Sequence, residues 1–219
     1  MKRKAVVELV LGGILLILFV FFTWSLTFID VQPIGPNGSC IAYASINKVI
    51  HNLFGVNMTL YQITDWAGMV TIFIALCFAI LGLTQWLKRK HIWKVDNSIL
   101  ILGVFYILVF STYIFFEVYV INCRPVLING ILEASYPSST TMLAMFVLPT
   151  AMMQLHRLIR NQSIRKTVNF LGGLFTAFMV IGRLFCGVHW FTDIFGGLLF
   201  SIAMIMLYRS LNNLITKKS

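Results

Sequence analysis

Gly182-Arg183, His189 and Asp193 have the residue types and spacing best suited to catalysis in this chain. Five residues separate the arginine from the histidine, and three separate the histidine from the aspartate. A histidine and an aspartate four positions apart share one helix face. The carboxylate can accept one imidazole N–H, fix the tautomer and raise the basicity of the other ring nitrogen. A lone histidine is more often structural. An arginine, a histidine and an aspartate at these intervals, in a chain with seven acidic residues, favour a nucleophile held by an orienting acid. Two further segments carry related chemistry. Glu117 to Pro125 ends in Arg124-Pro125, where proline stops a helix and extends the backbone before it. Arginine binds phosphate through two parallel N–H donors; an interfacial arginine reaching for lipid headgroups is the plainer reading of that pair. Ser135 to Thr141 gathers hydroxyl groups at a helix start. Ser138, Ser139 and Thr140 either cap the free amides there or leave them as an anion site, and the two roles are compatible.

The elements that must position these groups are written for lipid. Of 219 residues, 59% are hydrophobic and 11% charged, against about 25% charged in soluble domains. That composition argues against a soluble globular protein and excludes intrinsic disorder. The net charge of +10 comes from short basic clusters between apolar runs. These are Lys2-Arg3-Lys4, Lys88-Arg89-Lys90 with Lys94, Arg157 to Lys166, and Arg209 with Lys217-Lys218. That distribution orients helices in a bilayer and gives no reason to expect a nucleic-acid partner. The apolar runs predict six transmembrane helices near 5–28, 66–87, 99–121, 139–156, 168–185 and 189–208, each close to the roughly 20 residues a bilayer requires. The expected fold class is all-α: a polytopic six-helix membrane bundle, one domain over 1–219.

Six spans put both termini on one side. Lys and Arg then number fourteen on that side and three, Lys48, Arg124 and Arg183, on the other. The termini are therefore expected in the cytoplasm, with the site facing outward from the cell membrane. Residues 29–65 form the one long outer loop. Within it Ala42, Tyr43, Ile46, Val49, Ile50, Leu53 and Phe54 recur at helical spacing. That pattern fits an amphipathic helix on the outer leaflet or a helix packed on the bundle. Pro149 inside the fourth run is the feature that would suit the broken helix of a transporter. Against that reading, the ionisable groups gather at one surface rather than at mid-membrane.

On these residues the chain resembles the type 2 phosphatidic acid phosphatase family, within the lipid phosphatase and haloperoxidase superfamily. The family's first motif is a lysine, six residues, then Arg-Pro, of which Arg124-Pro125 remains. Its second is Pro-Ser-Gly-His or a close variant, here Pro137-Ser138-Ser139 followed by Thr140. Its third is Ser-Arg, five residues, His, three residues, Asp, here Gly182-Arg183 through His189 to Asp193. The resemblance implies an integral membrane lipid phosphatase acting through a phosphohistidine on a lipid phosphate or polyprenyl diphosphate. It implies that His189 is the nucleophile and that Asp193 orients it. Arg124, Arg183 and the amides about Ser138, Ser139 and Thr140 would hold the phosphate. It implies no metal and no other cofactor, with lipid phosphate and membrane lipids as partners. Two positions depart from the pattern. Glu117 stands where the family has its lysine, and Thr140 stands where it has the histidine that protonates the leaving group. Glu117 removes a phosphate-binding cation, and its other expected roles are to pair with Arg124 or Arg183 or to recruit a divalent cation. The alternative to hydrolysis is a catalytically impaired member that binds, senses or moves a lipid phosphate.

Overall fold

A computed structural model describes residues 2–216; Lys217 and Lys218 of the last basic cluster lie outside the described residues. Seven α-helices run as α1 Lys2–Ser25, α2 Ala44–Phe54, α3 Met58–Arg89, α4 Asn97–Val118, α5 Ser139–Leu158, α6 Gln162–Phe185 and α7 Phe191–Ile215. Among the described residues, β structure is limited to three isolated bridges. The chain is an all-α membrane bundle, and its helices carry their apolar residues outward. Phe73, Ile107 and Phe170 are each about two-thirds exposed, a surface suited to hydrocarbon and unfavourable in water.

Five of the six long helices are long and apolar enough to cross a membrane, where six were expected. The exception is α5, which carries Thr140, Thr141, Thr150, Gln154, His156 and Arg157. The reason is its place in the bundle. It packs against α3, α4, α6 and α7, with ten buried residues along its twenty. A helix wrapped by protein does not need an all-round apolar surface. It also runs unbroken through Pro149. Just beyond the proline, the Thr150 hydroxyl donates to the Phe146 carbonyl at 2.7 Å. Hydroxyl groups commonly re-satisfy backbone at such points, so the broken helix of the transporter reading is absent.

The other boundary difference concerns the long loop. α3 begins at Met58, eight residues before the expected span, because Asn57 caps it by accepting from the Leu60 amide at 2.9 Å. The amphipathic segment forms α2, with Val49 and Leu53 turned outward. Its polar Asn47 is buried instead against α7. The Asn47 amide donates to Thr192 Oγ1 at 3.0 Å and its oxygen accepts from the Thr192 amide at 3.2 Å.

The basic clusters share one end of the bundle. Glu8 near the start of α1 meets Arg209 near the end of α7 at 3.1 Å, and Arg157 reaches Thr216. Gln154 links the start of α4 to Tyr208. The residues singled out for chemistry lie at the opposite end.

Candidate active site

Two connections build that end. The first runs from α4 to α5. Cys123 bridges Ala134, and the Arg124 amide donates to the Glu133 carbonyl at 3.0 Å, so Arg124 leaves an extended, anchored backbone. Tyr136 then plugs into the core. Its hydroxyl bonds Thr23 at 2.7 Å and its ring lies where a Cβ on Gly196 would sit, 2.4 Å away. The Ser138 amide donates to the Asp193 carbonyl at 3.0 Å, which ties the start of α5 to the start of α7.

The second connection, between α6 and α7, carries His189. Gly187 adopts φ +65°, and a Cβ there would strike the Gly55 carbonyl at 1.8 Å; only glycine takes that turn without strain. The Asn57 amide donates to the Cys186 carbonyl at 2.9 Å, and Trp190 Nε1 donates to the Cys123 carbonyl at 2.8 Å. Asp193 closes the turn by accepting the Trp190 amide on Oδ2 at 2.9 Å.

Within this frame the expected residues converge. His189 Nδ1 donates to the Ser135 carbonyl at 3.2 Å. Its Nε2 therefore carries the lone pair, 3.2 Å from Arg124 Nη1. Asp193 Oδ2 lies 3.8 Å from Nδ1, close enough to stabilise positive charge on the ring and too far for a hydrogen bond. Asn122 holds the other carboxylate oxygen at 3.3 Å. Burial first, then the charges of Arg124 and Arg183, hold His189 well below the ordinary imidazole value of 6.5. The ring is neutral at pH 7, the form with a nucleophilic lone pair.

Arg183 is 1% exposed. Its Nη2 donates to Thr140 Oγ1 at 2.5 Å and to Asp65 Oδ1 at 2.8 Å. Arg124 lies 2.9 Å from Glu133 Oε2, although its Nε–H is not aimed at that oxygen. The contact is thus an ion pair without a hydrogen bond. Ser138 stands at the N-cap of α5 but caps nothing; its hydroxyl is buried and unpartnered. The first amides of α5, at Ser139 and Thr140, remain unsatisfied by the helix. Two guanidinium groups, a free hydroxyl and an uncapped helix start beside a neutral imidazole can bind a tetrahedral oxyanion and attack it.

The expected pairing of Glu117 with Arg124 or Arg183 is corrected. The partners are Glu133 and Asp65, and Glu117 is exposed and outside ion-pair distance of both arginines. Among the described residues no group of three His, Cys, Asp or Glu side chains is placed to hold a metal ion. Sequence reasoning missed Asp65, Glu133, Tyr61 and Asn122. Asp65 and Glu133 were findable: an acid at the membrane edge is costly alone, and Arg124, Arg183 and Lys48 were the only outward cations available.

A profile of the PAP2 superfamily matches residues 99–216, more than half the chain. The chain belongs to the PAP2 superfamily. The PAP2 match contains Arg124, Ser138, Thr140, Arg183, His189 and Asp193, and excludes α3. Among solved structures the fold is similar to the crystal structure of the first transmembrane PAP2 type phosphatidylglycerolphosphate phosphatase from Bacillus subtilis. That likeness has a TM-score of 0.61 at 19% identity and covers 93% of this chain and 96% of the other. No curated protein matches the sequence.

Proposed function

We propose that this PAP2 member is a lipid phosphatase that removes phosphate at the outer membrane face through a phosphohistidine on His189. The observation that carries the reading is the geometry of Nε2. Its proton is excluded by the Nδ1–H bond to Ser135, and it faces Arg124, a phosphate-binding group. An incoming phosphate takes the Arg124 N–H donors and frees Nε2. Nε2 then forms a bond to phosphorus as the bond to the leaving oxygen breaks, and Asp193 offsets the charge arising on the ring. Water next attacks phosphorus, breaks the P–N bond and releases inorganic phosphate.

Six helices cross the bilayer in this reading, with α5 as the sheltered one. The termini and the basic end sit in the cytoplasm, as the clustering of Lys and Arg supports. A cavity of about 720 Å³ between α3 and α4 is lined by apolar residues from Ile72 and Ile114 down to Trp86 and Ile92. It contains none of the phosphate-site residues, and we assign it to the lipid tail, admitted sideways from the bilayer.

Thr140 sets the substrate preference. Its hydroxyl is engaged by Arg183 and is no proton donor at neutral pH, and general-acid help is worth about 10²–10⁴-fold. A diphosphate expels a phosphate monoester, which leaves as an anion without that help, whereas a monophosphate must expel an alkoxide. Polyprenyl diphosphate is therefore the favoured class. Phosphate release from matched diphosphate and monophosphate lipids tests this. Faster diphosphate turnover is expected, and faster monophosphate turnover contradicts the preference. One observation favours a second reading, that the protein binds lipid phosphate without hydrolysis: both arginines are already paired with carboxylates. Lipid binding with no turnover of either class would select it.

A further inference from the structure

The phosphate site has a wall that the three motifs do not contain. Tyr61, Thr64 and Asp65 lie at spacings of three and four on the first turns of α3 and so share a face. All three meet Arg183. The Tyr61 ring lies 4.9 Å from the Arg183 guanidinium and 5.8 Å from that of Arg124. The Tyr61 carbonyl is 3.5 Å from Arg183 Nη1, and the Thr64 hydroxyl 3.4 Å. Asp65 takes Nη2. The approach of α3 to α6 depends on Gly182, where a Cβ would come within 2.7 Å of Thr64 Cγ2. That is the position at which the chain departs from the Ser-Arg of the family motif.

We propose that Tyr61 is a positioning residue for the phosphate site: one aromatic ring that attracts both the Arg124 and the Arg183 guanidinium groups and keeps them at the site. Two like charges repel, and each arginine otherwise has a carboxylate drawing it outward. The negative face of an aromatic ring attracts both cations without neutralising either. Their remaining N–H donors stay available to one anion between them. A carboxylate in the same place would neutralise the charge the phosphate needs. The ring is the working part, and the phenol hydroxyl is dispensable.

The inference rests on the reading of this site as a phosphate site, and the experiment separates the two. The full-length protein in lipid nanodiscs is titrated with orthovanadate, as wild type, Arg183→Ala, Tyr61→Phe, Tyr61→Leu and Tyr61→Trp, with melting temperature recorded for each. Phe and Trp are expected to keep vanadate affinity within about twofold. Leu is expected to weaken it roughly tenfold, the scale of a desolvated cation–π contact, and to raise KM for lipid substrate while kcat holds. Wild-type binding lost in Arg183→Ala but unchanged in Tyr61→Leu overturns the role of Tyr61 alone. Phe failing as badly as Leu also overturns it, since the hydroxyl would then be what matters. Should Leu lower the melting temperature sharply, equal affinity in Phe and Trp supports the ring, and loss in both removes it. No binding by wild type overturns the phosphate reading and this one with it.

Discussion

The two ends of the bundle both pair arginines with carboxylates and do so under opposite conditions. At the basic end, Arg89–Asp96 and Arg209–Glu8 are pairs whose arginines stay more than 40% exposed. At the other end, Arg183 is buried to 1% and Arg124 to 11% by side chain, while their partners Asp65 and Glu133 remain 57% and 39% exposed. Exposed pairs contribute about 0–1 kcal/mol, and burying a cation costs more than its pairing returns unless further bonds satisfy it. The basic end therefore uses arginine for partly exposed contacts between helix ends. At the opposite end further bonds do satisfy the buried Arg183, from Asp65, Thr140, Thr64 and the Tyr61 carbonyl, so its charge is held inside the site where an incoming anion would meet it.

Substitution should expose that contrast. Arg183→Ala is expected to lower kcat/KM for lipid substrate by about 10²–10³-fold, the scale of losing one donor to developing charge. Arg89→Ala at the basic end, where both partners are exposed, should leave activity within about twofold and change stability by no more than about 1 kcal/mol. Phosphate-release kinetics and thermal melts on both variants measure this. Equal losses would erase the distinction between the ends. Thr140→His should come next in size. Restoring an acid is expected to raise monophosphate turnover by roughly 10²-fold and diphosphate turnover far less, so the ratio of the two rates is the quantity to follow.

The helix starts offer a milder version of the same comparison. Asn161 caps α6 through the Ser163 and Ile164 amides, as Asn57 caps α3, whereas Ser138 leaves α5 open. Asn161→Ala should cost about 1 kcal/mol of stability with activity intact. Ser138→Ala should leave the melting temperature unchanged and weaken vanadate binding by about threefold, as one neutral hydrogen bond is worth. Smallest in amplitude is the pH response. In the proposed mechanism the nucleophile is the neutral imidazole of His189, whose pKa burial holds below 6.5. Protonation removes the lone pair, so kcat/KM should stay flat as pH falls through 6.5 and decline only in more acidic solution. An acid limb centred at or above 6.5 would show a solvated histidine instead.

Much of this was legible because a bilayer makes sequence explicit. Apolar runs marked α1, α3, α4, α6 and α7, and the clustering of Lys and Arg placed all the chemistry at one end. Convergence of Arg124, Arg183, His189 and Asp193 followed from that placement together with the Arg–His–Asp spacing. What stayed hidden depends on side-chain direction. Asp193 looked like the acceptor for the imidazole N–H, yet its Oδ2 is spent on the Trp190 amide and the Ser135 carbonyl takes the proton. Asp65 and Tyr61 belonged to a segment read as loop, since the helix signature of α3 before Trp66 is weak and its start depends on Asn57. Glu117 drew attention as a motif departure although Glu133, sixteen residues later, is the acid that reaches Arg124.

The central claim is that His189 is the group that accepts phosphorus. Phosphate release from a lipid diphosphate by the wild-type protein and by His189→Ala, both in nanodiscs and both shown to be folded, tests it most directly. The expected result is turnover by wild type and a loss on the order of 10⁴-fold or more in the variant, as removal of a nucleophile brings. Turnover by His189→Ala at the wild-type rate would contradict the account.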